Sequence, residues 1–146
     1  MPIRIEPATA LGPDLDPLVA EADAEGHLFM HRLRDAWASC ENRFDRPGEL
    51  LLTACIDGRL VGVGGLNRDP FAQDAGIGRL RHLYVAGSAR RHGVATLLVR
   101  RLLTHAASHF ALIRLRTFSP DAAAFYARLG FQPTGEADAT HILPLG

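Results

Sequence analysis

The chain has 146 residues, 47% of them hydrophobic, enough to bury the core of one domain without disulfide or metal staples. Its 16 Lys plus Arg balance 16 Asp plus Glu, so no net field concentrates a polyanion, and nucleic acid is not expected as a partner. No apolar run approaches the roughly 18 residues of a membrane span and the start, MPIRIEPA, lacks a signal-peptide pattern, so a cytoplasmic protein that uses no membrane is expected.

The two isolated cysteines, Cys40 and Cys55, form no C-x-x-C pair and read as buried thiols of a reducing compartment, and no metal is expected. Ile3 and Ile5 alternate with Arg4 and Glu6, predicting a short strand that ends at Pro7. From Asp14 to Ala24, Leu15, Leu18, Val19 and Ala22 recur on one helical face, and Gly26 ends that helix. Leu28, Phe29, Leu33, Ala36 and Trp37 mark a second helix before the polar stretch Ser39 to Gly48. Leu50 to Ile56 and Arg59 to Leu66 form a hairpin, because Asp57-Gly58 supplies the positive φ that a two-residue turn needs.

After a loop from Asn67 to Gly78, Arg79 to Val85 reads as a strand. Val94, Leu97, Leu98, Leu102 and Ala106 then define a helix to Ala107, with Arg100 and Arg101 on its other side. Leu112 to Phe118 reads as a strand and Pro120 to Leu129 as a helix capped by Gly130, and two short strands, Phe131 to Pro133 and His141 to Leu145, close the chain. With no repeat and no linker-like stretch, residues 1–146 are expected to form one α/β domain.

The chemistry concentrates at Arg90-Arg91-His92-Gly93-Val94-Ala95, between a strand and a strong helix. Free N–H groups and the helix dipole favour an anion there, Gly93 admits close backbone approach, and Thr96 adds a hydroxyl in the first turn. Two arginines and a histidine suit a pyrophosphate; the alternative is an eased turn beneath a solvated basic patch. Neither a Walker loop nor G-x-G-x-x-G is present, so ordinary nucleotide fingerprints do not apply.

With its flanking elements, LRHLYV…ARRHGVATLLVRRLL resembles the acyl-CoA-binding core of the GNAT superfamily, whose turn reads Gln/Arg-x-x-Gly-x-Gly/Ala, here Arg90, Gly93 and Ala95. A second segment, TFSPDAAAFYARLGF, is similar to the family's helix with a Phe-Tyr pair followed by Gly-Phe, here Phe125, Tyr126, Gly130 and Phe131. The resemblance covers nearly the whole chain. It implies an α+β, three-layer fold: a mixed, mostly antiparallel central sheet of about six to seven strands, splayed at the cofactor site and flanked by about four helices.

The resemblance further implies transfer of an acetyl group from acetyl-CoA to a primary amine by direct attack. The backbone of Leu83, Tyr84 and Val85 would pair with the pantetheine arm, and free N–H groups near Val85 would polarise the thioester carbonyl. Residues Arg90, Arg91, His92, Gly93, Val94, Ala95 and Thr96 would hold the pyrophosphate, and Ser119, where many relatives keep asparagine, would offer a hydroxyl to the cofactor arm. Tyr126 would protonate the leaving thiolate; by spacing alone it reads as a packing residue.

Arg79 stands where several relatives place a glutamate base, which leaves His82, on the same strand, as the candidate base beside its reading as a packed or surface histidine. Glu25, His27, Asn42, Arg43 and Asp45 fall in the family's acceptor-lining region, and Asp69 and Asp74 are candidates for an acidic side of that site; for all of these a solvated loop role is the competing reading. Relatives often pair, so a homodimer is an expectation of the same kind. A non-catalytic acyl-CoA sensor is the rival function, motivated by Arg79, while a tRNA-linked acceptor calls for a positive charge the chain lacks.

Overall fold

The computed structural model describes residues 2–146. Strand β1 (Ile3–Pro7) is followed by a single 3-10 turn (Pro13–Leu15) and two helices, α1 (Asp16–Ala24) and α2 (Phe29–Ala38). Then come β2 (Leu50–Ile56), β3 (Arg59–Arg68), β4 (Ile77–Val85), α3 (Val94–Ala106), β5 (Leu112–Leu115), α4 (Pro120–Arg128), β6 (Gln132–Pro133) and β7 (His141–Pro144). The seven strands form one mixed sheet in the order β1-β2-β3-β4-β5-β7-β6, in which only the β4–β5 pair is parallel. Among the described residues, no helix is long and apolar enough to cross a membrane.

The β2–β3 turn forms for the expected reason: Asp57 and Gly58 both adopt positive φ, 51° and 77°, which matches the right-handed twist of the flanking strands. The ladder continues beyond Leu66, because the Asp69 N–H donates to the Ile77 carbonyl at 2.9 Å and draws β3 and β4 together. β5 is shorter than its apolar pattern suggests. After Leu115 the Thr117 N–H turns to the Thr140 hydroxyl, and Arg116 and Phe118 are exposed.

Helix α3 covers one face of the sheet with Val94, Leu98, Val99, Leu102 and Ala106; Val99 is buried where Leu97, expected inward, is 38% exposed. Close approach is possible because β3 carries Gly62 and Gly64, where an added Cβ would stand 3.2–3.3 Å from Val94, Leu98 and Leu102. On the opposite face, the loop after α2 inserts Phe44 over Gly65, where an added Cβ would be 2.6 Å from its ring. Neither cysteine is a buried thiol: Cys40 is exposed just past the end of α2, with φ 64°, and Cys55 is half-buried on β2.

Strands β4 and β5 pair over only three positions, Ile77↔Leu112, Gly78↔Ile113 and Arg79↔Arg114, and then diverge. The last pair is two buried arginines side by side. Asp69, fully buried at its side chain, bridges them through Oδ2, 2.7 Å from Arg114 Nε and 3.4 Å from Arg79 Nη1. Glu136 also pairs with Arg114, and Arg79 Nη2 donates to the Asp138 carbonyl at 2.8 Å. Asp69 is thus a counter-ion inside the protein and not, as its loop position suggested, part of an acidic acceptor wall.

Removing that counter-ion leaves two desolvated guanidinium groups adjacent and under-neutralised. Asp69→Asn is expected to lower stability by about 3–5 kcal/mol, read as a reduced urea midpoint with an unchanged slope.

Candidate active site

Beyond Arg79, β4 keeps its β3 partner but has no neighbour on the β5 side. The Ala86 N–H donates to the Val61 carbonyl at 2.7 Å, so by the alternation of a strand Val85 turns its own N–H and C=O towards the opening. The Val85 carbonyl accepts a hydrogen bond from Arg90 Nε at 3.0 Å. That leaves the Val85 N–H as a donor facing the gap, where an extended ligand chain can take the place of a strand and a carbonyl oxygen can be polarised.

Three residues earlier, β4 carries a bulge: Tyr84 pairs with Val63 and Arg81 with Gly65, so His82 and Leu83 together oppose Gly64. His82 has φ 59°, unusual for a histidine and tolerated here because the bulge demands it. The kink puts His82 and Tyr84 on the face covered by α1 and α2, with Phe44 edge-on to the His82 ring at 6.0 Å and Phe29 at 6.2 Å from Tyr84.

His82 Nδ1 lies 3.0 Å from the Phe29 carbonyl, which only accepts, so Nδ1 carries the proton and Nε2 keeps its lone pair. Burial, reinforced by the charge of Arg81, pushes the imidazolium pKa down to about 4, so the ring is neutral throughout the physiological range. The ring borders a cleft of about 680 Å³ between α2, the 40–49 loop and the end of β3.

The turn between β4 and α3 offers a run of free donors. The first α3 bond is Leu97 N–H to the Gly93 carbonyl, and the N–H groups of residues 91–96 have no acceptor among the described residues. Arg91 and Gly93 both sit in the left-handed region, φ 69° and 81°, which curls these N–H groups into a concave anion nest at the helix N-terminus. An added Cβ at Gly93 would meet nothing within 4 Å, so the space in front of it is open to a ligand. The residues therefore fit a diphosphate.

Arg90 itself is otherwise engaged. Its guanidinium forms a two-pronged pair with Glu25, at 2.8 and 3.0 Å, and Nη2 donates to the Tyr84 hydroxyl at 3.2 Å. The Tyr84 proton is shared between Glu25 Oε1 at 2.7 Å and Glu21 Oε1 at 2.8 Å, and Glu21 also accepts from the Gly87 N–H at 2.6 Å. Hydrogen bonds from Arg90 and Tyr84 hold the Glu25 carboxyl down at about 2. Glu25 is thus a tether for the turn, while Arg91 and His92, both exposed, leave their side chains to face a ligand. Its partnership with Arg90 spans 65 positions, and Glu21 falls four residues before Glu25; that i, i+4 spacing was the only sequence signal for the tether.

Tyr126 is buried with Phe125 and Phe131 edge-on at 5.2 and 5.5 Å, and desolvation alone raises its pKa, so the phenol stays protonated. Ser119 caps α4, its Oγ accepting from the Ala122 N–H at 3.2 Å, with its own proton left to donate. Of the other expected lining residues, Asn42 exchanges hydrogen bonds with Asn67, Arg43 donates to the Trp37 carbonyl, and both border the cleft with Asp45. Asp74 holds its own turn through the Gly76 N–H, and His27 stacks against Phe29.

The low pKa of His82 has a stability consequence. The unfolded chain takes up this proton near 6.5 and the folded chain only near 4, so its contribution is complete above 6.5 and is lost as pH falls towards 4. His82→Asn, a side chain that tolerates positive φ, is expected to flatten the melting-temperature profile between those values. An unchanged slope would contradict the buried neutral ring.

The family model for the GNAT acetyltransferases matches residues 17–131. Among solved structures, a protein of Exiguobacterium sp. 255-15 classed as an acetyltransferase superposes with a TM-score of 0.88 at 29% identity, over 99% of this chain and 94% of its own. A GNAT-family acetyltransferase of Staphylococcus aureus Mu50 superposes with a TM-score of 0.77 at 16% identity, over 99% and 100%. The Escherichia coli GNAT N-acetyltransferase YhbS, solved in complex with CoA, gives 0.70 at 20% identity, over 99% and 81%. No curated protein gives a significant match. The matched span takes in both the anion nest and the Phe-Tyr helix, and the seven-stranded splayed sheet with four helices is the fold these proteins share: the chain belongs to the GNAT acetyltransferase family.

Proposed function

We infer that residues 1–146 act as one catalytic domain that transfers an acetyl group from acetyl-CoA to a primary amine. The observation that carries this is the conjunction, on one strand end, of a free Val85 N–H in the β4–β5 gap and the free N–H groups of residues 91–96. Acetyl-CoA, when bound, supplies a thioester whose carbonyl carbon the amine attacks.

The chain's part is to bind, orient and move protons. The nest at residues 91–96, with Arg91 and His92, holds the pyrophosphate; Arg90 shapes the nest through Glu25 and gives it no direct charge of its own. Leu83 and Val85 present backbone to the pantetheine arm, with Tyr84 between them holding β3 through its own N–H and C=O; Ser119 donates its hydroxyl to the arm, and the Val85 N–H stabilises the oxygen as negative charge develops. Tyr126 hands its proton to the departing sulfur, a role that suits a phenol kept neutral by burial. The C–N bond forms as the C–S bond breaks, and His82 Nε2 takes the proton that the attacking nitrogen sheds. Because burial makes His82 a weak base, it serves an amine that arrives neutral and does not deprotonate an ammonium ion.

Two substitutions separate binding from chemistry. Gly93→Asp, which puts a carboxylate into the nest, is expected to abolish acetyl-CoA binding in a calorimetric titration. Tyr126→Phe is expected to keep that affinity and lower kcat by about 10²-fold or more. Undiminished binding by Gly93→Asp would remove the cofactor assignment. Tight binding with no turnover over a broad amine panel would favour the sensor reading.

His82→Asn should lower kcat about tenfold to a hundredfold without weakening CoA binding. The wild-type rate should rise from pH 6 to 9 with the fraction of neutral amine and show no break near a normal histidine pKa. A break near 6.5 that vanishes in the variant would show that His82 titrates as an ordinary base instead.

A further inference from the structure

Four arginines are not exposed: Arg34, Arg79, Arg81 and Arg114. Three stand beside carboxylates, Arg34 near Asp16 and Asp35, and Arg79 and Arg114 on Asp69. Arg81 alone has neither an ion pair nor a hydrogen-bonded side-chain partner among the described residues. A half-buried guanidinium without a directly paired carboxylate is unfavourable; here desolvation and the charge of Arg79 oppose its protonated form, and Asp69 and Glu41 offset them only through space. It is not sealed in, since the buried unpartnered side-chain atoms are Asp23 Oδ1, His105 Nε2 and Arg114 Nη2. It opens into the cleft that His82 borders.

The rest of that cleft points the same way. Arg32, on α2, lines it without an ion pair among the described residues, and its charge acts on both Arg81 and His82. One half-buried carboxylate of the cleft is spent: Glu49 Oε2 accepts from Asn67 Nδ2 at 3.1 Å and the Arg68 N–H at 3.0 Å, and Oε1 accepts from the Arg46 N–H at 3.3 Å. Asp35 lies beside Arg34 at 3.7 Å, and the remaining acids, Glu41 and Asp45, are exposed. None of residues 90–96 borders this cleft, so the charge here is separate from the pyrophosphate nest.

We propose that the acceptor is an amine that also carries an anionic group, of carboxylate or phosphate type, and that Arg81 with Arg32 seats that group while the nitrogen lies past His82 towards Val85. This rests on the transfer reading above. The distance along β4 from His82 to Val85 is about 10 Å (roughly 3.3 Å per residue), short enough for one small molecule to touch the arginine end of the cleft and reach the gap. The long Arg81 and Arg32 side chains must cover part of that span for an amino acid or amino phosphate to fit this arrangement; a polyamine, all cation, is repelled by it.

The test compares matched ligands by calorimetry, with and without saturating CoA. The probes are the N-acetyl derivatives of glycine, alanine, leucine and phenylalanine, each against the neutral N-acetyl amine lacking the carboxylate, and N-acetylaminomethylphosphonate against N-methylacetamide. At least one anionic probe should bind tenfold or more tightly than its neutral counterpart, and the carboxylate and phosphonate arms tell which anion is preferred. Arg81→Gln should erase that preference and leave CoA affinity and the neutral probe unchanged.

Because Arg81 makes no internal pair, Arg81→Gln should melt no lower than wild type, unlike a variant of a structural arginine. No anionic preference in any pair, or a preference that survives both Arg81→Gln and the double variant with Arg32→Gln, overturns the proposal. Loss of CoA binding in wild type would instead strike the transfer reading, and the anion comparison without CoA would still be read.

Discussion

The site depends on one buried carboxylate. Arg79 and Arg114 are the last residues that β4 and β5 bring opposite each other, and without Asp69 between them two like charges would meet in the sheet interior. With it, the pair becomes a fixed vertex from which the strands separate. A buried ion cluster of this kind is weak evidence for stability, since desolvation offsets much of its Coulomb energy; what the observed register does is bring Asp69 Oδ2 within reach of both guanidinium groups. The gap that the Val85 N–H faces opens from that vertex.

Two further devices convert the gap into a site. The bulge at His82 and Leu83 turns His82 onto the α1–α2 face, where the Phe29 carbonyl selects its tautomer and burial keeps it neutral. The Glu21–Glu25 pair then ties the end of α1 to Gly87, Tyr84 and Arg90, so that the nest behind α3 has a rigid base. A ligand bound at the nest therefore meets donors that are already aimed, with little reorganisation left to occur on binding.

The arginines divide by partner. Around the site, Arg79, Arg90 and Arg114, which have carboxylates, build the frame, and Arg32, Arg81 and Arg91, which have none among the described residues, face space that a ligand can enter. In sequence they are indistinguishable: Arg79 and Arg81 are two positions apart on the same strand face, and Arg90 and Arg91 are neighbours. The Arg-x-x-Gly-x-Ala spacing marked Arg90 as a phosphate ligand, yet a carboxylate 65 positions away claims its side chain.

What depends on neighbours along the chain is legible in the order of its residues. Hydrophobic periodicity sets α3, Asp57-Gly58 sets the hairpin, Pro120 after Ser119 starts α4, and Gly93 before a helix prepares a nest of free N–H groups, all through interactions within a few residues. The end of β5, the bulge at His82, the exposure of Cys40 and the burial of Asp69 are different in kind. Each is decided by which distant group arrives to share a hydrogen bond or exclude water: Thr140 for Thr117, Gly64 for the bulge, two arginines for Asp69. Charge pairing across the sheet is a property of the assembled fold, because a carboxylate and a guanidinium acquire their roles only when the strands that carry them are brought within about 4 Å in a medium that screens them poorly.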